Sequence, residues 1–383
     1  MQSPQIAALL DDPASLDEFW QRVTIDGTPL IEPWRDGSRL VTFLWRGQAG
    51  STRVWWGLDF PLERMPGTDL WYATRVQPSD LLTIYCITHD GSKALPTHTH
   101  GSGESHVDPF NPHRQFFPGE PGDPDDPDAW LSVLSLPDAP GEPWLEPRPG
   151  VAAGTIVDAP LSPPVAVYRP AGIPTEGLPV LVVFDGWIAR VVQHTPTILD
   201  NLIAAGEIAP VVALFVSNYS ATRDEELTPG SEHSRFITDE LLPWARTELG
   251  AGADGRANVI AGVSRGGLAA AGIALRSPEL FGGVISQSGS FWWPSENPGG
   301  LMREVAQRPP ADIRFYLDVG ILETMAAPGG GPNQIDVNRS MRDALRQRGY
   351  SVSYAEYSGG HDYVNWRRTF VDGLIAVAGV HAS

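Results

Sequence analysis

The sequence predicts two folds in series, an all-β sandwich over the first part of the chain and a mostly parallel, helix-covered α/β sheet over the rest. Short runs rich in β-branched and aromatic residues, RLVTFLWRG, TRVWWGL, DLWYATRV and LLTIYCITH, follow one another without a comparable helical pattern between them. That spacing belongs to an antiparallel sandwich. Farther along, PVLVVF, PVVALFV, NVIAGV, GGVISQ, IRFYLDV and VSYAEY alternate with longer helical patterns, as in a parallel sheet with helices on both faces. Between the two regimes, residues 101–154 are dense in Pro, Gly and Asp. Such sequence supplies no regular hydrogen-bond ladder and is expected to wrap or link. The expected division is 1–149, an immunoglobulin-like sandwich domain with a Pro-rich linker, and 150–383, the α/β domain.

Individual elements follow from local chemistry. SLDEFWQR opens with a capping box, Ser15 accepting a first-turn N–H and Glu18 reaching back. A helix is expected over 231–249. Another is expected over 334–348, where Ile335, Asn338, Met341 and Leu345 share a face and Gly349 is placed just past its end.

Composition excludes several functions. No run in the 383 residues approaches the roughly 18 to 20 apolar residues of a membrane span. Acidic residues number 46 against 27 basic, a net charge of -19, which disfavours nucleic acid and anionic membranes as partners. An anionic ligand would need local arginines to hold it against that field. MQSPQIAALLDD carries no secretory pattern. The single cysteine, Cys86, allows no intramolecular disulfide and shares strand parity with Leu82 and Ile84, so a cytoplasmic setting and a buried apolar thiol are expected.

The chemistry-bearing motif is NVIAGVSRGGLAAAGIALRSP, an apolar strand, Gly262-Val263-Ser264-Arg265-Gly266, then a small-residue helix. A serine on such a strand-to-helix turn presents its hydroxyl above an α/β-hydrolase sheet, with the flanking glycines avoiding collisions. The N–H of Arg265 is then placed to stabilise an oxyanion. A serine hydroxyl needs a base, and His361 in YSGGHDYVNW follows the last strand-like run. The orienting carboxylate should lie between them. IRFYLDVGILETM offers Asp318 inside the strand and Glu323 in the loop beyond Gly320; Glu323, free to swing, is favoured, with Asp318 the alternative. Asp185-Gly186-Trp187, after PVLVVF, offers backbone N–H groups of Gly186 and Trp187 as the other oxyanion donors.

In content and order VVFDGWIAR, SNYSATRDEELTPGSEHSRFITDELLPW, VIAGVSRGGLAAAGIALRSPELFGGVISQSGSFWWP, DVGILETM and GGHDYVNWR resemble the ferric enterobactin (enterochelin) esterases. FLWRG, DLWYATRV and DPFNP are similar to the β-sandwich domain of the cytoplasmic two-domain members. The resemblance implies cleavage of the ester bonds of a trilactone catecholate siderophore, releasing iron. It matches Ser264 to the nucleophile, His361 to the base, Glu323 to the acid in a family where some members are described with a Ser-His dyad, and Arg223 to an arginine of the substrate site. No cofactor is implied. A tris-catecholate iron complex is an aromatic trianion, which guanidinium groups and aromatic faces would hold. Arg223, Arg190, Arg265, Trp187 and Trp292 could supply these, with Phe291, Trp293 and Trp366. Arg265 has a second expected partner, the acidic loop 123–128. Two other readings are a feruloyl or acetyl-xylan type esterase with a carbohydrate-binding N-terminal domain, and a non-catalytic siderophore-binding protein.

PTHTHGSGESHVDPFNPH concentrates His98, His100, His106 and His113. Its spacing matches no metal-site pattern, and no metal is expected. A polar loop near the active-site mouth is the expected role.

Overall fold

A computed structural model describes residues 2–327 and 330–380. The chain forms two compact units. The first comprises Met1–Gly119, Pro127–Gly141 and Ser358–Asp362; the second comprises Glu120–Asp126, Glu142–Tyr357 and Tyr363–Ser383. The Pro-rich residues from 142 onward thus fold with the second unit, where Asn201 Nδ2 donates to the carbonyls of Trp144 and Glu146 at 2.9 Å each.

The first unit contains two antiparallel sheets. In one, Leu30–Pro33, Arg39–Arg46, Leu70–Gln77 and Glu63–Arg64 lie in that order; in the other, Phe60–Pro61, Thr52–Trp56, Leu82–His89, Ala129–Ser135 and Arg114–Phe117 do, with Ser105–His106 also pairing to Leu82–His89. The sheets meet through aromatic side chains, Phe43 standing edge-on to Tyr85 with centroids 5.1 Å apart. Cys86 is fully buried as expected, although parity does not single it out, because Leu82–His89 is buried on both faces.

The helix Leu16–Asp26 forms, but Ser15 makes no capping hydrogen bond and instead donates to the Asp12 carbonyl at 2.7 Å. The one-turn helix Pro13–Ser15 before it diverts that hydroxyl. Within 101–154 the expectation of no ladder fails in part, because Arg114–Phe117 pairs with Ala129–Ser135 and Phe116 packs on Trp130 at 4.6 Å. Aromatic cross-strand pairing outweighs the surrounding prolines there.

The second unit is built on eight strands ordered Thr155–Asp158, Val165–Arg169, Val212–Val216, Val180–Val183, Val259–Val263, Gly283–Gln287, Arg314–Gly320 and Ser351–Tyr357. The first two pairings are antiparallel and the other five parallel. Alternate residues feed two cores: Val180, Val182 and Ile260 join one, whereas Leu181, Val183, Val259 and Ala261 join the other. Both faces are covered, so these strands read as continuous apolar runs.

Arg265–Arg276 and Gln334–Gln347 cover the first face; Thr195–Ala205 and Tyr363–Ala378 cover the second. Gln334–Gln347 matches its expected span, with Asn338, Met341 and Leu345 fully buried and Gly349 at φ 88°. The expected helix at 231–249 is broken into Glu232–Arg235, a wide π-type turn Phe236–Leu241, and Leu242–Glu248. Pro243 lacks the N–H an uninterrupted helix would use, and the wide turn accommodates it.

Candidate active site

Ser264 links the buried strand Val259–Val263 to the helix Arg265–Arg276 and takes φ 55°, ψ -119°. A non-glycine residue in this strained region persists only when its surroundings over-determine it. Here the Ser264 N–H donates to the Gln287 carbonyl at 2.8 Å, and its carbonyl accepts from Ser290 N–H at 2.9 Å. Gly262 is required: a Cβ there would lie 2.4 Å from the carbonyl carbon of Gly266. Ser264 remains partly exposed while the glycines around it are buried. Arg265 is the first residue of the helix, so its N–H has no partner within the helix.

The turn Asp185-Gly186-Trp187 abuts this elbow. A Cβ on Gly266 would sit 3.4 Å from Asp185 Oδ2, and one on Gly186 would collide with the Phe215 backbone at 2.5 Å. Asp185 adopts left-handed backbone angles, φ 51° and ψ 48°. Its carboxylate is held by Arg223 through two hydrogen bonds, Nε to Oδ1 at 2.6 Å and Nη2 to Oδ2 at 2.8 Å. Burial alone would lower the Arg223 pKa, but the Asp185 carboxylate raises it above the ordinary arginine value. Arg190 lies over Trp187 with its guanidinium carbon 5.2 Å from the ring centroid, and its Nε donates to the Gly186 carbonyl at 3.3 Å.

Arg265 reaches Asp224, with which it forms an ion pair, and lies 4.0 Å from the Trp293 ring centroid and 5.9 Å from that of Trp292. The expected pairing with the acidic loop 123–128 is replaced by Asp224. Asp123 is occupied locally, accepting from the N–H groups of Ser220 at 2.6 Å and Asp125 at 3.0 Å. Burial and the neighbouring Arg223 charge bring the Arg265 pKa down to about 10.

Glu323 is nearly buried just beyond the strand Arg314–Gly320. Its Oε1 accepts from Ser288 Oγ at 2.6 Å and Gly320 N–H at 2.8 Å. Ser288 also accepts from Trp366 Nε1 at 3.0 Å, which places that tryptophan in support of the acid. Asp318 lies inside the strand, fully buried, with Thr369, Gln287 and Tyr316 as the polar neighbours of its carboxylate. Burial raises its pKa to about 7. The two carboxyl groups differ in position, Glu323 in the loop just beyond the strand and Asp318 enclosed within it.

Sequence reasoning passed over three polar residues here. Ser290 Oγ lies 3.2 Å from Ser264 Oγ, Gln334 Nε2 donates to Ser290 Oγ at 3.4 Å and to the Ser288 carbonyl, and Trp292 Nε1 donates to Gln334 Oε1 at 2.7 Å. A signal existed: parallel register sets Val263 opposite Gln287, so SGS directly after GGVISQ must emerge beside Ser264.

His361 lies, partly exposed, in the short segment Ser358–Asp362, which packs with the first unit. There the Ser358 carbonyl accepts from Leu82 N–H at 3.1 Å and Asp362 Oδ2 from Thr83 Oγ1 at 2.7 Å. The second unit thus brings together Ser264, Arg265, the Asp185-Gly186-Trp187 turn, Arg223, Arg190 and Trp292, with Glu323 joined to the serine turn through Ser288, Gln334 and Ser290.

Of the clustered histidines, His106 is buried and hydrogen-bonded to His89, Nε2 to Nε2 at 3.0 Å, while the His98 and His100 rings lie 4.9 Å apart. Asp108 is buried among Thr28, Tyr85 and the Phe110 N–H. Among the described residues no group of three or more His, Cys, Asp or Glu is arranged to hold a metal ion, and no helix is long and apolar enough to cross a membrane.

Residues 160–377 match the model of the esterase family described as "Putative esterase". The chain is 30% identical to the iron(III) enterobactin esterase of Dickeya dadantii, over 96% of this chain and 94% of that one. It is 28% identical to the iron(III) salmochelin esterase of Escherichia coli O6:H1, over 94% and 93% of the two chains. The fold is shared with the Shigella flexneri enterobactin esterase crystallised in the presence of enterobactin, at TM-score 0.70 and 23% identity over 94% of this chain and 97% of that one. With a family model matched over more than half its length and relatives matched nearly end to end, the chain belongs to the enterobactin esterase family.

Proposed function

We propose that this protein is a serine esterase that hydrolyses the ester bonds of a catecholate siderophore, with iron as the cargo released. The observation that carries the reading is the strained Ser264, lying beside the Asp185-Gly186-Trp187 turn and linked through Ser290, Gln334 and Ser288 to a carboxylate held by donors. Family membership and relatives named for enterobactin and salmochelin supply the substrate class.

In the proposed mechanism His361 takes the Ser264 proton as Oγ attacks the ester carbonyl. The negative charge forming on the carbonyl oxygen is met by the N–H groups of Gly186, Trp187 and Arg265, donors fixed before the reaction begins. Collapse expels the alkoxide, which takes the proton from His361 and leaves an acyl-enzyme. Water, deprotonated by the same histidine, then releases the acid. Glu323 is assigned the orienting carboxylate, because its Oε1 is fixed by Ser288 and Gly320, whereas Asp318 is fully enclosed.

Arg190, Trp187 and Trp292 are proposed substrate contacts, with Arg223 beside them. Local cations are needed because the chain carries a net charge of -19 and repels an anionic complex at long range. The reading assigns ester cleavage to residues 150–383 and an immunoglobulin-like topology to the two antiparallel sheets of residues 1–149. It places the protein in the cytoplasm, a setting in keeping with its single buried cysteine.

The deciding experiment is product analysis by mass spectrometry on ferric and iron-free trilactone catecholates, with Ser264→Ala alongside. Wild type should yield linear catechoyl-serine products and the variant none. Retention of a hundredth of the rate by Ser264→Ala would overturn the nucleophile assignment, since removing such a serine costs about a million-fold elsewhere.

A further inference from the structure

Arg223 and Asp224 are consecutive, and each grips a different part of the site. Arg223 holds Asp185, the residue immediately before Gly186, through the 2.6 and 2.8 Å bonds described above. Asp224 pairs with Arg265, the residue immediately after Ser264. We propose that Arg223 and Asp224 are positioning residues that brace the two backbone segments supplying the oxyanion N–H groups. This rests on the reading of Gly186, Trp187 and Arg265 as those donors.

Asp185 has a conformation that needs such a brace. Left-handed angles cost a residue with a side chain some energy, less for Asp than for most, and here contacts fix both the backbone and the carboxylate. The backbone is fixed by Asn218, whose Oδ1 accepts from Asp185 N–H at 3.0 Å and whose Nδ2 donates to Glu226 Oε2 at 2.9 Å. The carboxylate is fixed by Arg223, whose planar fork matches it edge to edge. Asp185 Oδ2 lies close to Gly266, 3.4 Å from where a Cβ there would sit, so the carboxylate that Arg223 holds borders the serine elbow directly.

The same geometry limits what Arg223 can offer a substrate. Its charge is matched by Asp185 at hydrogen-bond distance, so a trianion would meet a neutral pair there. Arg223 is therefore assigned to the stabilisation of developing charge through the turn, and bulk attraction of the anion falls to other cations.

The test is Arg223→Lys, which keeps the charge and loses the fork, assayed on a neutral ester such as p-nitrophenyl acetate and on an anionic ferric trilactone catecholate. The brace predicts that kcat falls at least tenfold on both substrates with KM changed less than twofold. Asp224→Asn, at a half-exposed position that should not disturb folding, is expected to lower kcat about threefold or more on the neutral ester. Wild-type kcat on the neutral ester in both variants, with KM raised only for the anionic substrate, would overturn the brace and return Arg223 to charge binding. Ser264→Ala separates the two levels: if it is inactive while Arg223→Lys is unaffected, only the brace fails, whereas an active Ser264→Ala overturns the underlying reading of the site.

Discussion

Ser288 Oγ donates to Glu323 Oε1 at 2.6 Å, although 35 residues separate them in sequence. The link arises because Gly283–Gln287 and Arg314–Gly320 are neighbouring parallel strands, so the residues leaving their C-terminal ends emerge side by side. Ser288→Ala would take one donor from Glu323 and remove the hydrogen bond from Trp366 Nε1 to Ser288 Oγ. A fall of about tenfold in kcat is expected, with about 1 to 2 kcal/mol of stability lost, read by ester hydrolysis and urea denaturation.

Glu323 and Asp318 should separate cleanly by mutation. Glu323→Gln is expected to lower kcat at least tenfold, whereas Asp318→Asn should leave kcat within about twofold. Asp318 also carries a pH signature. Its folded-state pKa is raised by burial to about 7 from 3.8, so the folded state holds a proton that the unfolded state has released. Stability contributed by that proton is present below about pH 4 and is lost as pH rises toward 7. Asp318→Asn should therefore raise Tm at pH 8 and change it little at pH 4, which differential scanning calorimetry can check.

The His89–His106 pair predicts the opposite slope. Thr52 Oγ1 donates to His89 Nδ1, His89 Nε2–H to His106 Nε2, and His106 Nδ1–H to the Val107 carbonyl, at 3.1, 3.0 and 2.6 Å. Every ring nitrogen is satisfied with both rings neutral. Burial, and for His89 the neighbouring His106, lowers the pKa to about 4 at His89, with Asp90 opposing. Burial also lowers the pKa at His106, where His98 adds to the effect. The unfolded chain takes up protons near 6.5 that the folded chain refuses, so stability falls as pH drops from about 6.5 toward 4. His106→Gln should flatten that dependence in a Tm-against-pH series.

Gly262→Ala tests the elbow. The new methyl would meet the Gly266 backbone at 2.4 Å, and backbone has little room to move. A loss of about 1 to 3 kcal/mol is expected, with esterase activity reduced at least a hundredfold. An unchanged kcat would contradict the close approach on which the turn depends.

The sequence made the parallel sheet legible because strands buried on both faces must be apolar throughout. It made Ser264 legible because glycines were needed where Gly266 meets Gly262. What it hid were polar partners whose meaning depends on register. Ser288, Ser290 and Gln334 look like loop serines and a helix-start glutamine until the strand order brings them together. The resemblance points Arg223 to the substrate site, and charge points Arg265 to an anionic ligand or to the acidic loop 123–128, yet their carboxylate partners, Asp185 and Asp224, appear only once the loops are folded. The sandwich suffered a related error at Arg114–Phe117, where local prolines masked a strand whose stability comes from its partner.

The assignment of Ser358–Asp362 to the first unit has a practical consequence. The chain changes unit at 119/120, 126/127, 141/142, 357/358 and 362/363, so no single cut separates the two parts intact. A shortened enzyme beginning at Glu142 would keep Ser264 and Glu323 but lack Leu82 and Thr83, on which the segment carrying His361 rests. Engineers wanting a minimal catalyst from this scaffold must therefore rebuild a seat for that histidine, whereas grafting new substrate loops onto the intact chain leaves it undisturbed.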